Sequence, residues 1–271
     1  MNTDNLEYLQ NQLKFLGFGE GLNSQLERQL TDGAPEFHLQ ASHVFGKDTM
    51  EATLHFKKSD QEGKDFYFFN SFDAVLLTAD KSVAQHFFIN NKGQSVTFKE
   101  ACNLLNGRAV YKELTPKEGE KYKAWIKLDF AHRDEKGNAQ VKYFNEKYGF
   151  DLKEAIGRLP FKELSDPDQM QTLMASLQKG NAAQAILIKD GKEQSVLIAA
   201  DPQFKTLKMY DGEGKKLYVP VEKVAERYGL SQADQKRQEQ AQTPEKDLKT
   251  NKKKDLLPRK ERKPSARKTL A

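Results

Sequence analysis

Short runs of alternating apolar and polar residues, joined by turns of only a few residues, constrain this chain more than any other feature. Parallel strands need a crossover of about a dozen residues or more, so strands joined this closely pair antiparallel. Residues 123–130 show the pattern most clearly. Ala124, Ile126, Leu128 and Phe130 share one face, and Trp125, Lys127 and Asp129 share the other. A turn at 134–138 leads to a return strand at 140–144. Farther on, strands at 185–188, 194–199, 204–210 and 216–219 are separated by Asp190-Gly191, Asp201-Pro202 and Asp211-Gly212. Asp-Gly between alternating runs is a strong hairpin signal, so this part reads as a meander. Nearer the start, Leu54 and Phe56 share a strand face. Residues 65–70 are aromatic on both faces, which predicts a central strand covered on both sides. Residues 86–89 and 94–98 read as a hairpin around 90–93.

Between these runs the period changes to that of a helix. Leu6, Leu9, Leu13 and Leu16 recur at three and four residues, and Leu22, Leu26 and Leu30 recur at four. Thr97 and Glu100 have the spacing of a capping box. The stretch ACNLLNGR (101–108) then reads as the second half of a capped helix, with Gly107 at its end. Further helices are expected at 151–158, 168–178 and 220–228. The fold class is therefore α+β, with short antiparallel sheets and hairpins packed with short helices. Two α+β halves are expected, 1–114 and 115–231, followed by a disordered basic tail at 232–271. A weak likeness between YFFNSFDAVL (67–76) and YFNEKYGFDLKEAI (143–156) hints at a duplicated unit.

The net charge of +5 is unevenly spread. Residues 232–271 hold 13 Lys/Arg against 6 Asp/Glu, while the rest of the chain holds 31 against 33. The aromatic residues lie before Leu230, so the tail has too little apolar matter to form a core. Nine of its cations form two clusters: Lys252, Lys253 and Lys254, then Arg259, Lys260, Arg262, Lys263, Arg267 and Lys268. Such a segment neutralises phosphates on DNA or RNA without reading sequence. No aromatic residue accompanies it, which argues against a membrane anchor.

The body offers little catalytic chemistry. One cysteine, Cys102, excludes disulfide frameworks and multi-cysteine metal sites, and fits a reducing cytoplasm. No histidine stands near it along the chain to act as its base. The five histidines, His38, His43, His55, His86 and His132, show no HxxxH or HExxH spacing, and His55 is expected to face solvent. Phosphate-loop and nucleophile-elbow patterns are missing. Asp129, Asp134 and Glu135 cluster near one hairpin turn as a weak candidate for metal-dependent hydrolysis. No membrane span or secretory signal is expected, and no cofactor or metal. Tyr67, Phe69, Trp125 and Tyr143 are candidate outward aromatics. If the strand is regular, Lys123, Trp125 and Lys127 would present two cations around a stacking ring.

CNLLNGRAVYKEL followed by GEKYKAWIKLDF resembles a family of uncharacterised proteins carried by Bacteroidetes conjugative transposons and related mobile elements. So does the long stretch from LPFKELSDPDQ to FKTLKMYD, and the resemblance spans roughly residues 6–218. It implies an accessory role beside, or fused to, DNA topoisomerase and other mobile-DNA proteins, and it brings no catalytic residues. It marks Asn103, Gly107, Arg108, Lys112, Trp125 and Asp129. Asn103 and Arg108 would serve either as surface contacts or as ties between the helix end and the following strand. The expected function is a non-enzymatic interaction protein of mobile DNA. Arg108, Lys123, Trp125, Lys127 and the tail cations would contact nucleic acid, with a mobile-element protein as a further partner. The alternatives are a protein–protein adaptor or inhibitor and, more weakly, a metal-dependent nucleic-acid hydrolase.

Overall fold

The computed structural model describes residues 2–61, 65–90, 95–116, 120–189, 191–212 and 214–217. The basic tail and the helix expected at 220–228 lie outside the described residues.

Two helices open the chain, α1 (Thr3–Phe15) and α2 (Asn23–Asp32). The Asn2 side chain caps α1 by accepting from the Asn5 amide. Leu9, Leu13, Leu26 and Leu30 point into the core, as their spacing predicts. Four antiparallel strands follow: β1 (Glu36–Phe45), β2 (Asp48–Lys58), β3 (Tyr67–Leu77) and β4 (Ser82–Phe88), in the order β1-β2-β3-β4. Their inner face carries Phe37, Leu54, Phe56, Phe69, Phe72 and Phe87. Helix α3 (Phe98–Leu105) closes this core, and its capping box is complete: Thr97 and Glu100 each accept from the other's amide.

Residues 65–70 are covered on one face only. Tyr67 and Phe69 are buried, but Phe68 is 42% exposed. Helices α1, α2 and α3 lie against the other side, and an antiparallel sheet tolerates one solvated face. Of the hairpin expected across 86–98, residues 91–94 lie outside the described residues, and the described part does not pair as one. Thr97 is committed to capping α3, so 95–97 form no return strand to β4.

A second sheet joins β5 (Val110–Leu114), β6 (Tyr122–Arg133) and β7 (Ala139–Asn145), in that order. Helices α4 (Leu152–Gly157) and α5 (Pro167–Gln178) come next. A third sheet follows, made of β8 (Ala183–Lys189), β9 (Lys192–Asp201) and β10 (Thr206–Tyr210) in the order β10-β9-β8. The expected meander is present up to β10; its last strand is reduced to one bridge, Tyr210 to Lys216, within the described residues.

The middle sheet serves both cores. Val110, Ile126, Leu128 and Ala139 belong to the first core, while Ala109, Trp125 and Phe144 belong to the second. A division between residues 114 and 115 would fall between β5 and β6, which are paired from Val110–Ile126 to Leu114–Tyr122. The duplicated unit is not seen. β3 runs unbroken through Phe72 and Asp73, whereas β7 ends before a 3-10 turn and Asp151 caps α4.

Candidate functional site

The residues proposed from sequence to meet nucleic acid divide sharply once folded. Trp125 is 4% exposed and packs on Tyr111 and Phe150, at ring-centroid distances of 5.2 and 5.5 Å. β6 is regular from Ala124 to Asp129, which meets the condition set on the sequence, but α4, α5 and the third sheet build a core over that face. Trp125 is therefore no stacking platform. Lys127 lies beneath the same cover. Its ammonium is 3.7 Å from the Asp201 carboxylate and 3.2 Å from the Gln203 side-chain oxygen. Lys123, one turn of the pleat farther out, is exposed. The nine tail cations lie outside the described residues.

Arg108 is half-buried and tied inward. Its Nε donates to the Gly180 carbonyl at 2.9 Å and an Nη donates to Asn103 Oδ1 at 2.6 Å. Asn103, fully buried, donates in turn to the Lys179 carbonyl and to Asn181 Oδ1. The pair does act as a tie, but to the turn after α5, some seventy residues on, rather than to the next strand. Burial pulls the Arg108 pKa down from its usual value, and the same cause pushes the Cys102 thiol up. Cys102 is 1% exposed, so a reactive thiolate there is disfavoured twice over. Lys112 is likewise internal, 3.0 Å from Glu100.

The acids at the β6–β7 turn do not converge on an open site. Asp129 receives Lys142 at 2.7 Å and His132 at 2.8 Å. The Lys142 hydrogen bond chiefly holds its pKa down, at about 2. Asp134 caps its own turn by accepting from the amides of Lys136 and Asn138.

Open surface depressions remain among the described residues. A cleft of about 940 Å³ opens among the β1–β2 turn, α3, α5 and β8. Lys47, Lys99 and Arg108 line it, but so do Asp48, Glu163 and Asp168, so it carries no field of one sign to concentrate a polyanion. A second groove is aromatic. Phe88 (79% exposed), Tyr143 (57%) and Tyr122 (39%) flank Val96, Leu114 and Pro116. Lys121, Lys123 and Lys147 adjoin Tyr122 in the neighbouring depression, beside Glu113 and Glu146. Of the four aromatics expected to face outward, only Tyr143 does. Phe88 and Tyr122 were hidden in the sequence, because their exposure depends on where the first two sheets meet.

The solvent face of the first sheet holds a cluster that spacing rules could not find. Nε2 of His55 (β2) lies 2.6 Å from Asp73 Oδ2 (β3), and Nδ1 of His86 (β4) lies 2.7 Å from Asp73 Oδ1. Burial alone would raise the Asp73 pKa, but the two imidazole hydrogen bonds outweigh it and hold it below the ordinary carboxylate value. His55 does sit on the outer face, as expected, yet it is partnered there rather than free in water. The potential ligands come from three different strands, so no local motif records them.

No family model, curated protein or solved structure matches this chain. Among the described residues no helix is long and apolar enough to cross a membrane.

Proposed function

We propose that this protein is a non-enzymatic accessory factor that contacts nucleic acid through its basic tail, in the mobile-DNA setting that the family resemblance implies. The observation that carries the reading is the segregation of charge. Residues 232–271 are net positive by seven, while the remainder is nearly neutral. Each phosphate neutralised by a tail cation releases condensed counterions, which gives strong but unspecific affinity. The body adds a stacking surface rather than a charged one. The groove of Phe88, Tyr122 and Tyr143, with Lys121 and Lys123 at its end, suits unpaired bases. Base–aromatic stacking is worth about 1–3 kcal/mol per base.

Fluorescence-anisotropy titration tests this with labelled single- and double-stranded DNA and RNA, comparing the full chain with residues 1–230. The full chain is expected to bind, with affinity falling steeply as salt rises. Removing the tail is expected to abolish most of that affinity. Any remainder should favour single strands and fall further in Tyr143→Ala. No binding by the full chain at low salt would sink the proposal. The exposed aromatic groove would then favour a protein–protein adaptor or inhibitor.

A further inference from the structure

We infer that His55, Asp73 and His86 form a binding site for one divalent transition-metal ion, with Zn²⁺ the best chemical fit. The three side chains stand on adjacent strands of a continuous sheet, and one donor atom from each lies within 4.8 Å of the others. Ligands around a tetrahedral zinc ion sit at about 2.0–2.2 Å from it, hence roughly 3.3–3.6 Å from one another. Small side-chain rotations therefore suffice to admit an ion where the imidazoles now meet the carboxylate.

A bulge in β3 is what makes the arrangement possible. From Tyr67 to Phe69 the odd-numbered residues of β3 face the core. The pairing with β2 slips between His55 and Phe56, where Asn70 and Ser71 together stand opposite the single residue His55. Beyond that point the phase reverses: Phe72, Ala74 and Leu76 face inward. Asp73 is thereby carried to the outer face, directly opposite His86 in the register and diagonal to His55. Without the extra residue Asp73 would point into the aromatic core. Bulges of this kind re-aim side chains beside functional sites.

The surroundings suit a held ligand set. His38 meets the His55 ring edge-on at 4.6 Å, and Phe88 meets the His86 ring edge-on at 4.7 Å. Each imidazole is thus in contact with a second ring, His55 with one from the neighbouring strand β1 and His86 with one from its own strand β4. The three ligand side chains remain 27–48% exposed, so an ion has an entry path and a fourth position open to water or a partner's ligand. Two imidazoles with one carboxylate suit zinc and its transition-metal neighbours. Mg²⁺ and Ca²⁺ favour all-oxygen sites.

The test uses the full chain, purified without a histidine tag and stripped with chelator. Calorimetric titration with Zn²⁺ should show one ion per chain, and Co²⁺ should give visible ligand-field bands of an imidazole-containing site. His55→Ala, Asp73→Ala and His86→Ala should each weaken binding by more than the roughly 10–100-fold that loss of an outer-shell partner costs. His43→Ala and His132→Ala should bind as the parent does. The milder His86→Gln, checked for retained fold by circular dichroism, should also change the Co²⁺ spectrum. The inference is overturned if the parent binds no ion, if the three alanine variants bind as the parent does, or if Mg²⁺ competes equally. Removing the tail should leave metal binding unchanged, which separates this inference from the nucleic-acid reading.

Discussion

Asp201 and Lys127 show how far a side chain's use depends on what covers it. Asp201 is 1% exposed, and its two cations, Lys127 at 3.7 Å and Lys208 at 3.4 Å, stand at ion-pair rather than hydrogen-bond distance. Neither carboxylate oxygen has a hydrogen-bond partner. The group's compensation comes from the two ion pairs, in a place where burying a charge is costly. Asp201→Ala should therefore leave two poorly solvated ammonium groups and lower stability by about 3 kcal/mol, the low end for breaking a buried pair. Urea denaturation checks this. A loss below about 1 kcal/mol, the value typical of surface pairs, would mean that water reaches the triad.

At the scale of elements, the turn between α5 and β8 is the seam of the molecule. Gly180 has φ +79°, and a Cβ there would lie 2.8 Å from both the Ala109 carbonyl oxygen and Val110 Cγ2. Glycine is required twice, for the left-handed backbone and for the close approach to the start of β5. Asn103 and Arg108 hold the same turn from the end of α3. Gly180→Ala should cost about 1–3 kcal/mol from crowding, with about 1 kcal/mol more for the backbone. Gly19→Ala is the control, since Gly19 has φ +76° with nothing within 4 Å of a new Cβ. Equal shifts in the urea midpoint for the two variants would show that the approach at Gly180 is not tight.

At the scale of the whole molecule, the middle sheet binds the two cores into one cooperative body. Ile126 and Leu128 fill one core while Trp125, on the same strand, fills the other. Neither core can lose its partner without exposing a face of that sheet. Calorimetry should therefore show a single transition in which the calorimetric and van't Hoff enthalpies agree. A fragment of residues 1–114 should fail to fold, because β5 would lack β6. Two resolved transitions, with a Trp125→Ala change moving only one, would contradict this.

The chain's periodicities fixed most local elements. Leucines at three and four residues marked α1 and α2, the Thr97–Glu100 spacing marked the start of α3, and alternation with Asp-Gly turns marked the antiparallel hairpins. These are short-range effects, set by backbone geometry and by which face must be buried. The sequence also set the charge imbalance of the tail, which needs no fold. Three things were left to the tertiary structure. It decided that the sheet face bearing Lys123, Trp125 and Lys127 would be roofed by a second core, because alternation says that a face is shared and not what lies over it. It decided that Arg108 would turn inward to Gly180, since the partner lies seventy residues away. And it assembled His55, Asp73 and His86, because register across three strands and one extra residue in β3 determine which side chains meet, and neither leaves a mark in local spacing.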